Sequence, residues 1–390
     1  PMVLRSRDRG RVGRCRHPLR RPRHTPCAGG VVFGATRLRC APHRLIVPAM
    51  TRAGIVTVAG KPNAGKSTLL NRLVGEKLAI TSPKAQSTRH RVVGLRTELD
   101  SQMVVLDTPG LLDPKDLLHE AMRGAAVAAL RDADVIVYVV DADALPLHAL
   151  ERWVESRGAA ADPASRSEAD RQVLQAAGLG GINAMQAHSD APLWPSLEDA
   201  AGLDRPPRAP VLVALNKSDV LPEALRTHLL QTTADVHLIS ALTGDGVDHL
   251  VRDITSRLPE SPYLYPADEI STQPMRFFCA ELVRETAMEQ LGDELPHALA
   301  CAIEEYREGK SPLYIRAVLY VERDSQKAIV IGAGGQQIKK LGRAARQKIE
   351  QFVGEPVYLD LWVKVLANWR KKRGAVSRLG YGDPNARPPA

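Results

Sequence analysis

The run Gly60-Lys61-Pro62-Asn63-Ala64-Gly65-Lys66-Ser67 constrains this chain more than any other stretch of it. It fits G-x-x-x-x-G-K-[ST], in which glycines let the backbone wrap a phosphate chain with several N–H groups turned inward. In that pattern the lysine, here Lys66, reaches the β- and γ-phosphates, and the hydroxyl, here Ser67, sits on Mg²⁺. The flanks narrow the folds further. Gly54-Ile55-Val56-Thr57-Val58-Ala59 reads as a short buried strand, and Ser67 to Val74 as the first turns of a helix, whose N-terminus favours anions. A strand, a glycine loop and a helix in that order predict an α/β sheet that binds phosphate at a strand's carboxyl end.

Two further motifs follow in order. Asp107-Thr108-Pro109-Gly110 comes directly after the apolar run Met103-Val104-Val105-Leu106. An aspartate at that strand end can hold the Mg²⁺ site, and the glycine N–H can touch the γ-phosphate. D-x-x-G alone arises by chance about once or twice in a chain of this size, so its weight comes from its position. Asn216-Lys217-Ser218-Asp219 follows Val211-Leu212-Val213-Ala214-Leu215, another buried-strand pattern. Guanine presents N1–H and an exocyclic amine, and the Asp219 carboxylate can accept from both. Adenine would leave that carboxylate unpaired, a costly mismatch. Asn216 is read as serving the other polar edge of the base, and the Lys217 stem as packing on its face. Ser240-Ala241, after Val236-His237-Leu238-Ile239, is read as offering a backbone N–H to the guanine oxygen. Thr88 lies in a polar stretch between the first helix and the second strand, where it could complete Mg²⁺ coordination and let go after hydrolysis.

The 390 residues predict two or three domains, and 44% hydrophobic content is ample for their cores. The net charge of +9 misleads, because residues 1–49 carry twelve arginines, no lysine and only Asp8, or +11. The rest nets 9 − 11 = −2, so any nucleic-acid contact must come from a local patch. No apolar run approaches the roughly 18–20 residues that span a bilayer. The cysteines (Cys15, Cys27, Cys40, Cys279, Cys301) are odd in number and form no C-x-x-C, which fits a reducing compartment without a disulfide framework or zinc site. Residues 1–49 read as an unfolded extension upstream of Met50. A transit peptide, which would place the chain in a mitochondrion or plastid, is the alternative to a cytoplasmic protein.

Residues 50–258 alternate short apolar strands with helical patterns, which predicts a mostly parallel, doubly wound sheet with strands near 55–59, 92–96, 103–106, 135–140, 211–215 and 236–239. The segment 145–208 is too long for a compact crossover and reads as a surface insertion, with helices near 147–156 and 168–178. Residues 259–275, punctuated by prolines, read as a linker, 276–382 as a second domain and 383–390 as a tail. In the second domain, 276–291 reads as a helix, and 313–321, 328–331 and 357–365 as strands. Gln336 to Phe352 reads as an amphipathic helix with Ile338, Leu341, Ala345, Ile349 and Phe352 on one stripe. Before that helix stands Gly332-Ala333-Gly334-Gly335, a bulkless G-x-x-G loop that lets a nucleic-acid backbone approach closely. From Lys327 to Lys348 there are cations (among them Lys339, Lys340, Arg343 and Arg346) and no acid. Lys339, Arg343 and Arg346 share a face, which makes a local phosphate-binding surface.

With these residues in hand the chain resembles the Era GTPases of bacteria and organelles. The resemblance is carried by the nucleotide motifs, by Lys84-Ala85-Gln86-Ser87-Thr88-Arg89-His90-Arg91, by Val330-Ile331-Gly332 through Ile338-Lys339, and by Leu361-Trp362-Val363-Lys364-Val365 and Leu379-Gly380-Tyr381. It covers about residues 52–382, less the insertion. It implies a Ras-like GTPase domain followed by a type II KH domain. It also implies binding near the 3′ end of small-subunit (16S-type) rRNA during maturation of the 30S subunit, and peripheral inner-membrane association. A monomer is the expected state. Three positions depart from the family pattern: Ser87 where a second threonine is common, Ala333-Gly334 where a lysine is common, and the insertion itself.

The expected mechanism is a switch. Lys66, Thr88, Asp107 and Gly110 form the catalytic set, and Ser67, Thr88 and Asp107 the Mg²⁺ ligands. The residue after Gly110 is Leu111, which lines the GTP site but cannot orient an attacking water as glutamine does. Slow intrinsic hydrolysis is therefore expected. Asn63 lies where a monovalent cation would be coordinated beside the phosphates, so K⁺ stimulation is a further expectation. Two other functions fit the same residues: a non-catalytic GTP-dependent RNA scaffold, and a membrane or cell-cycle signalling GTPase whose KH-like domain binds protein.

Overall fold

The computed structural model describes residues 3–5, 51–82, 84, 87–161, 193–232, 236–292, 295–309 and 311–381. The first domain opens with β1 (Val3–Arg5), β2 (Arg52–Gly60), α1 (Lys66–Val74), β3 (Val92–Thr97), β4 (Ser101–Asp107), α2 (Leu117–Asp132) and β5 (Val135–Asp141). It continues with α3 (Leu147–Ala161), α4 (Leu197–Ala201), β6 (Val211–Asn216), α5 (Glu223–Thr232), β7 (Val236–Leu238) and α6 (Val247–Arg257). Strands β2 to β7 form a six-stranded sheet in the order β3-β4-β2-β5-β6-β7, parallel except for β3 against β4. Strand β4 is buried along its whole length and β5 along all but its last residue, which is why both read as unbroken apolar runs. The chain leaves β2 toward β3 and β4 on one side, then crosses to β5 on the other. The carboxyl end of β2 is thus the switch point of the sheet, where such folds bind ligands. Left-handed glycines frame α1, Gly65 (φ 93°) before it and Gly75 (φ 83°) after it.

The insertion is anchored at both ends. The helix expected near 147–156 is α3, and the one expected near 168–178 lies outside the described residues. Leu150 and Val154 of α3 share a core with Leu197 and Ala201 of α4, and Trp153 packs on Trp194 at 5.2 Å between ring centroids. So in the described flanks of 145–208, α3 and α4 each turn one face into the domain core while residues such as Leu147 and Arg205 stay exposed.

The stretch read as a linker is instead a strap. It ends in β8 (Glu269–Pro274), which lies beside β3. Ser271 Oγ donates to Val93 O (2.5 Å), and the Gln273 amide bonds Val93 N (3.2 Å) and Arg91 O (2.9 Å). The Gln102 side chain accepts from the backbone N–H groups of Leu264 and Tyr265. Strand β1 pairs with β8, so Val3–Arg5 departs from the expectation of an extension without structure. The remainder of residues 1–49 and the tail 383–390 lie outside the described residues.

The second domain runs α7 (Met275–Gln290), α8 (Leu295–Ala298), β9 (Ala300–Arg307), β10 (Leu313–Val321), α9 (Asp324–Ile331), α10 (Gln336–Val353), β11 (Val357–Val365) and α11 (Arg373–Arg378). Strand β10 is central, parallel to β11 and antiparallel to β9. One expectation is overturned: residues 328–331 are the last turn of α9, not a strand. The Ala-Ile-Val-Ile run suits either form over so short a span. The helix is decided upstream, where the Gln326 side chain accepts from the N–H groups of Glu322 (2.8 Å) and Arg323 (3.1 Å) and caps it. On α10 the predicted stripe holds, with Leu341, Ala345 and Ile349 fully buried and Ile338 packed against them.

The two domains share apolar contacts. Met275 and Phe278 of α7 enter the first domain's core beside Leu78 and Ala79. Leu118 and Met122 of α2 cluster with Ala300, Trp369, Val376, Leu379 and Tyr381.

Candidate functional site

The three strand-end motifs converge at the carboxyl end of β2. Lys66 is buried, and its Nζ donates to Lys61 O at 2.7 Å, folding the ammonium back over the loop. Ser67 Oγ lies 2.6 Å from Thr88 Oγ1 and donates to Asp107 Oδ2 at 2.6 Å. Thr88 Oγ1 donates to the same oxygen at 3.2 Å. The residues assigned to Mg²⁺ from sequence are therefore in mutual contact. The other carboxylate oxygen, Asp107 Oδ1, is buried without a hydrogen-bond partner. An orphaned carboxylate oxygen beside two hydroxyls is an oxygen-rich donor set that suits Mg²⁺, so Ser67, Thr88 and Asp107 fit the ion.

Charge in this pocket is held off balance. Burial lowers the Lys66 ammonium to about 8, with the Asp107 charge opposing the shift. Burial pushes the Asp107 carboxyl above its usual range, against the pull of Lys66 and of the Ser67 and Thr88 hydrogen bonds. A polyphosphate and a divalent cation would each supply the charge that burial denies these groups.

Loops around the pocket are fixed by close approach. Gly110 carries no Cβ because one would meet Pro62 N at 2.8 Å, so the D-x-x-G turn lies against the phosphate loop. Leu111 N donates to Gly60 O at 3.0 Å while its side chain is buried in the core, so Leu111 meets the site through backbone alone. Thr108 Oγ1 donates to Val58 O (2.9 Å) and ties β4 to β2, and Pro109 is buried beside it. Asn63 holds a left-handed φ of 62° in the middle of the loop.

The base-reading segment is corrected in one respect. Asn216 Nδ2 donates to Ala64 O (2.8 Å), and its Oδ1 accepts from Ala241 N (2.8 Å). Asn216 thus braces the phosphate loop against the Ser240-Ala241 turn, where sequence suggested a direct base contact. The Ala241 N–H is taken up by Asn216, not held for the guanine oxygen. Ser240 is buried, and its N–H donates to Asp245 O. Lys217 is left-handed (φ 67°), and its Nζ pairs with Asp141 at 2.6 Å, a partner the sequence did not reveal. Ser218 is buried, and Asp219 is exposed in the turn that follows Lys217.

The second surface is a helix–turn–helix, with G-x-x-G joining α9 to α10. Gly332 is required by packing, since a Cβ would lie 2.6 Å from Gln337 Cβ. Gly334 (φ 56°) and Gly335 (φ 75°) are left-handed with open space above them, and Ala333 is exposed beside them. That is a backbone a phosphodiester can approach. Lys339, Lys340, Arg343 and Arg346 are all exposed along α10. Lys348 is not part of this surface, because it pairs with Glu285 (3.0 Å) and Glu289 (2.7 Å).

Sequence reading assigned no role to the residues that join the two sites. Arg89, next to Thr88, is buried and donates to Leu299 O (2.6 Å) and His297 O (3.1 Å) of the second domain. His90 stacks on Tyr381 at 4.3 Å between centroids. Asp116, which caps α2, sits 3.6 Å from Arg370, and Arg370 pairs with Glu322 at 2.8 Å. Charged and polar residues in the connections between elements were the available signal, but they do not say what they face.

Comparison with known proteins agrees with both halves. Residues 55–165 match the family model described as 50S ribosome-binding GTPase, and residues 294–370 the one described as KH domain. The GTPase Era of Pseudomonas aeruginosa is 39% identical over 345 residues, covering 86% of this chain and 97% of that one. The GTPase Era of Azotobacter vinelandii is 39% identical over 342 residues, with 85% and 97% covered. Among solved structures, an Aquifex aeolicus Era variant bound to GDP·AlF4⁻ superposes with a TM-score of 0.66 at 35% identity, covering 85% of this chain and 99% of that one. An Era in complex with MgGDPNP and nucleotides 1506–1542 of 16S ribosomal RNA superposes at 0.65 with 34% identity and the same coverage.

Proposed function

Because the chain belongs to the Era family of GTPases, we propose that its hydrolysis of GTP governs how its KH domain grips the 3′ region of small-subunit (16S-type) rRNA, and that it thereby assists maturation of the 30S subunit. Magnesium, when bound, neutralises charge developing between the β- and γ-phosphates. The chain supplies the rest. Lys66 reaches the phosphates, Gly110 offers its N–H, and Asp219 accepts from guanine. Ser67, Thr88 and Asp107 are the residues that would hold the ion. With Leu111 buried, no side chain after Gly110 orients water, so intrinsic turnover is slow and is raised by RNA or the subunit. Asn63 supports K⁺ stimulation, and equal turnover in Na⁺ and K⁺ would refute it. The same reading has the protein act as a monomer in the cytoplasm with peripheral inner-membrane association, or in a mitochondrion or plastid where residues 1–49 serve as a transit peptide.

The observation that carries the RNA reading is the open, left-handed Gly334-Gly335 turn beside four exposed cations on α10. Crosslinking to small-subunit rRNA tests it. Wild-type protein should crosslink near the 3′ end, and the Gly334→Asp/Gly335→Asp variant should lose the crosslink while hydrolysing GTP at the same basal rate. Undiminished crosslinking in that variant, or crosslinking to protein alone, would overturn it.

A further inference from the structure

The peptide that carries Thr88 is held from the other domain. On its amino side, the Ser87 carbonyl accepts from Arg284 Nη2 of α7 at 2.5 Å. On its carboxyl side, Arg89 is bonded to the carbonyls of His297 and Leu299. Arg284 is itself 1% exposed and gripped by Glu281, with Nε to Oε1 at 2.9 Å and Nη2 to Oε2 at 2.5 Å. Its remaining nitrogen, Nη1, lies 3.6 Å from Met288 Sδ. A buried ion pair of this kind adds little stability over apolar side chains of similar volume, and replacing such a pair is often neutral or stabilising. What apolar residues cannot do is hold a carbonyl. The pair's hydrogen bond to the first domain is to the Ser87 carbonyl, one peptide from the hydroxyl that meets Ser67 and Asp107.

We propose that Arg284, oriented by Glu281, is a positioning residue for GTP hydrolysis: it fixes the Ser87–Thr88 peptide so that the Thr88 hydroxyl stands at the metal site. Closure of this loop then depends on the docking of α7 as well as on the nucleotide. A displacement of the KH domain carries Arg284 off Ser87 and frees Thr88. The proposal rests on the GTPase activity and not on which RNA the second domain binds.

The test uses the full-length chain with the double variant Glu281→Leu/Arg284→Met and the single variant Arg284→Gln. Turnover, GTP KM, GDP affinity and the Mg²⁺ concentration for half-maximal hydrolysis are measured for each. Loss of one charge-assisted hydrogen bond predicts a kcat lower by roughly 10- to 100-fold. The Mg²⁺ requirement should rise, while GDP affinity stays within about 2-fold, because Thr88 acts only in the triphosphate state. The double variant should unfold at a denaturant midpoint no lower than wild type, which separates positioning from packing. A folded double variant with wild-type kcat and Mg²⁺ dependence would overturn the proposal. Should the double variant not fold, Arg284→Gln decides in the same way.

Discussion

Truncating Asn216 separates a brace from a base reader. The side chain is 2% exposed, and its amide spans Ala64 O and Ala241 N, each at 2.8 Å. Asn216→Ala leaves a buried carbonyl and a buried N–H without partners. At roughly 1–2 kcal/mol for each orphaned group, the loss sums to roughly 2–4 kcal/mol. The fit is tight on the other side as well, since a Cβ on Gly65 would stand 2.2 Å from Asn216 Nδ2. The assay is urea unfolding of the full chain without nucleotide or Mg²⁺, so that no ligand contributes. The variant should lose stability in that buffer by the amount above. Added GDP at free concentration c should then stabilise each protein by RT ln(1 + c/Kd), set by its own affinity. A variant within about 0.5 kcal/mol of wild type without nucleotide, but impaired in GDP binding, would refute the brace and restore the direct base contact.

Asp219→Asn removes one acceptor from the guanine edge and should weaken GTP by roughly 100-fold while favouring xanthosine triphosphate, whose edge offers an acceptor; competition binding with both nucleotides reads this. Burial lowers the His90 imidazole to about 4, opposed by Glu281 and reinforced by Arg284 and Arg89. The unfolded state therefore binds more protons between roughly pH 4 and 6.5. The stability that neutral His90 contributes is complete above pH 6.5 and is lost as pH falls through 4, by roughly 3 kcal/mol. His90→Phe, which keeps the stack on Tyr381, should flatten the unfolding profile over that window, and an unchanged slope would refute the assignment. Lys339→Ala/Arg343→Ala should weaken RNA binding at low salt and reduce the slope of log K against log salt by roughly 1.4, the single-strand value for two phosphate contacts, as filter binding at several salt concentrations would show. Trp369 is fully buried against α2 and donates to Ala298 O at 2.9 Å, so Trp369→Ala should cost about 3–5 kcal/mol, read as a lower midpoint in denaturant unfolding.

Local patterns carried much of the first domain. Strands buried on both faces read as apolar runs, and β2, β4, β5 and β6 fall where those runs stand. Ser67 and Asp107 could be assigned to one ion because each lies on a motif whose chemistry is written in a few adjacent residues, and Thr88 because of its place in the polar stretch between the first helix and the second strand. In the second domain β10 and β11 were legible, but β9 was not. Its sequence Ala300-Cys301-Ala302-Ile303-Glu304-Glu305-Tyr306-Arg307 mixes small, acidic and apolar residues because it is an edge strand with one exposed face. Helix α9 was mistaken for a strand because its cap, Gln326, lies outside the apolar run that drew attention. The brace role of Asn216 and the clamp of Arg284 on Ser87 were out of reach for a different reason. Their partners lie 152 and 197 residues away, and periodicity reports which face is buried but not what covers it.

If the nucleotide pocket sets the grip of the KH domain on RNA, a binding isotherm reads it directly. The affinity of the full-length chain for a 3′-terminal fragment of 16S rRNA is measured with Mg²⁺ and either GDP or a non-hydrolysable GTP analogue. A coupling of roughly 1–3 kcal/mol predicts binding tighter by about 5- to 150-fold with the analogue, and the RNA must then tighten the analogue by the same factor. Equal RNA affinity in the two nucleotide states would contradict it.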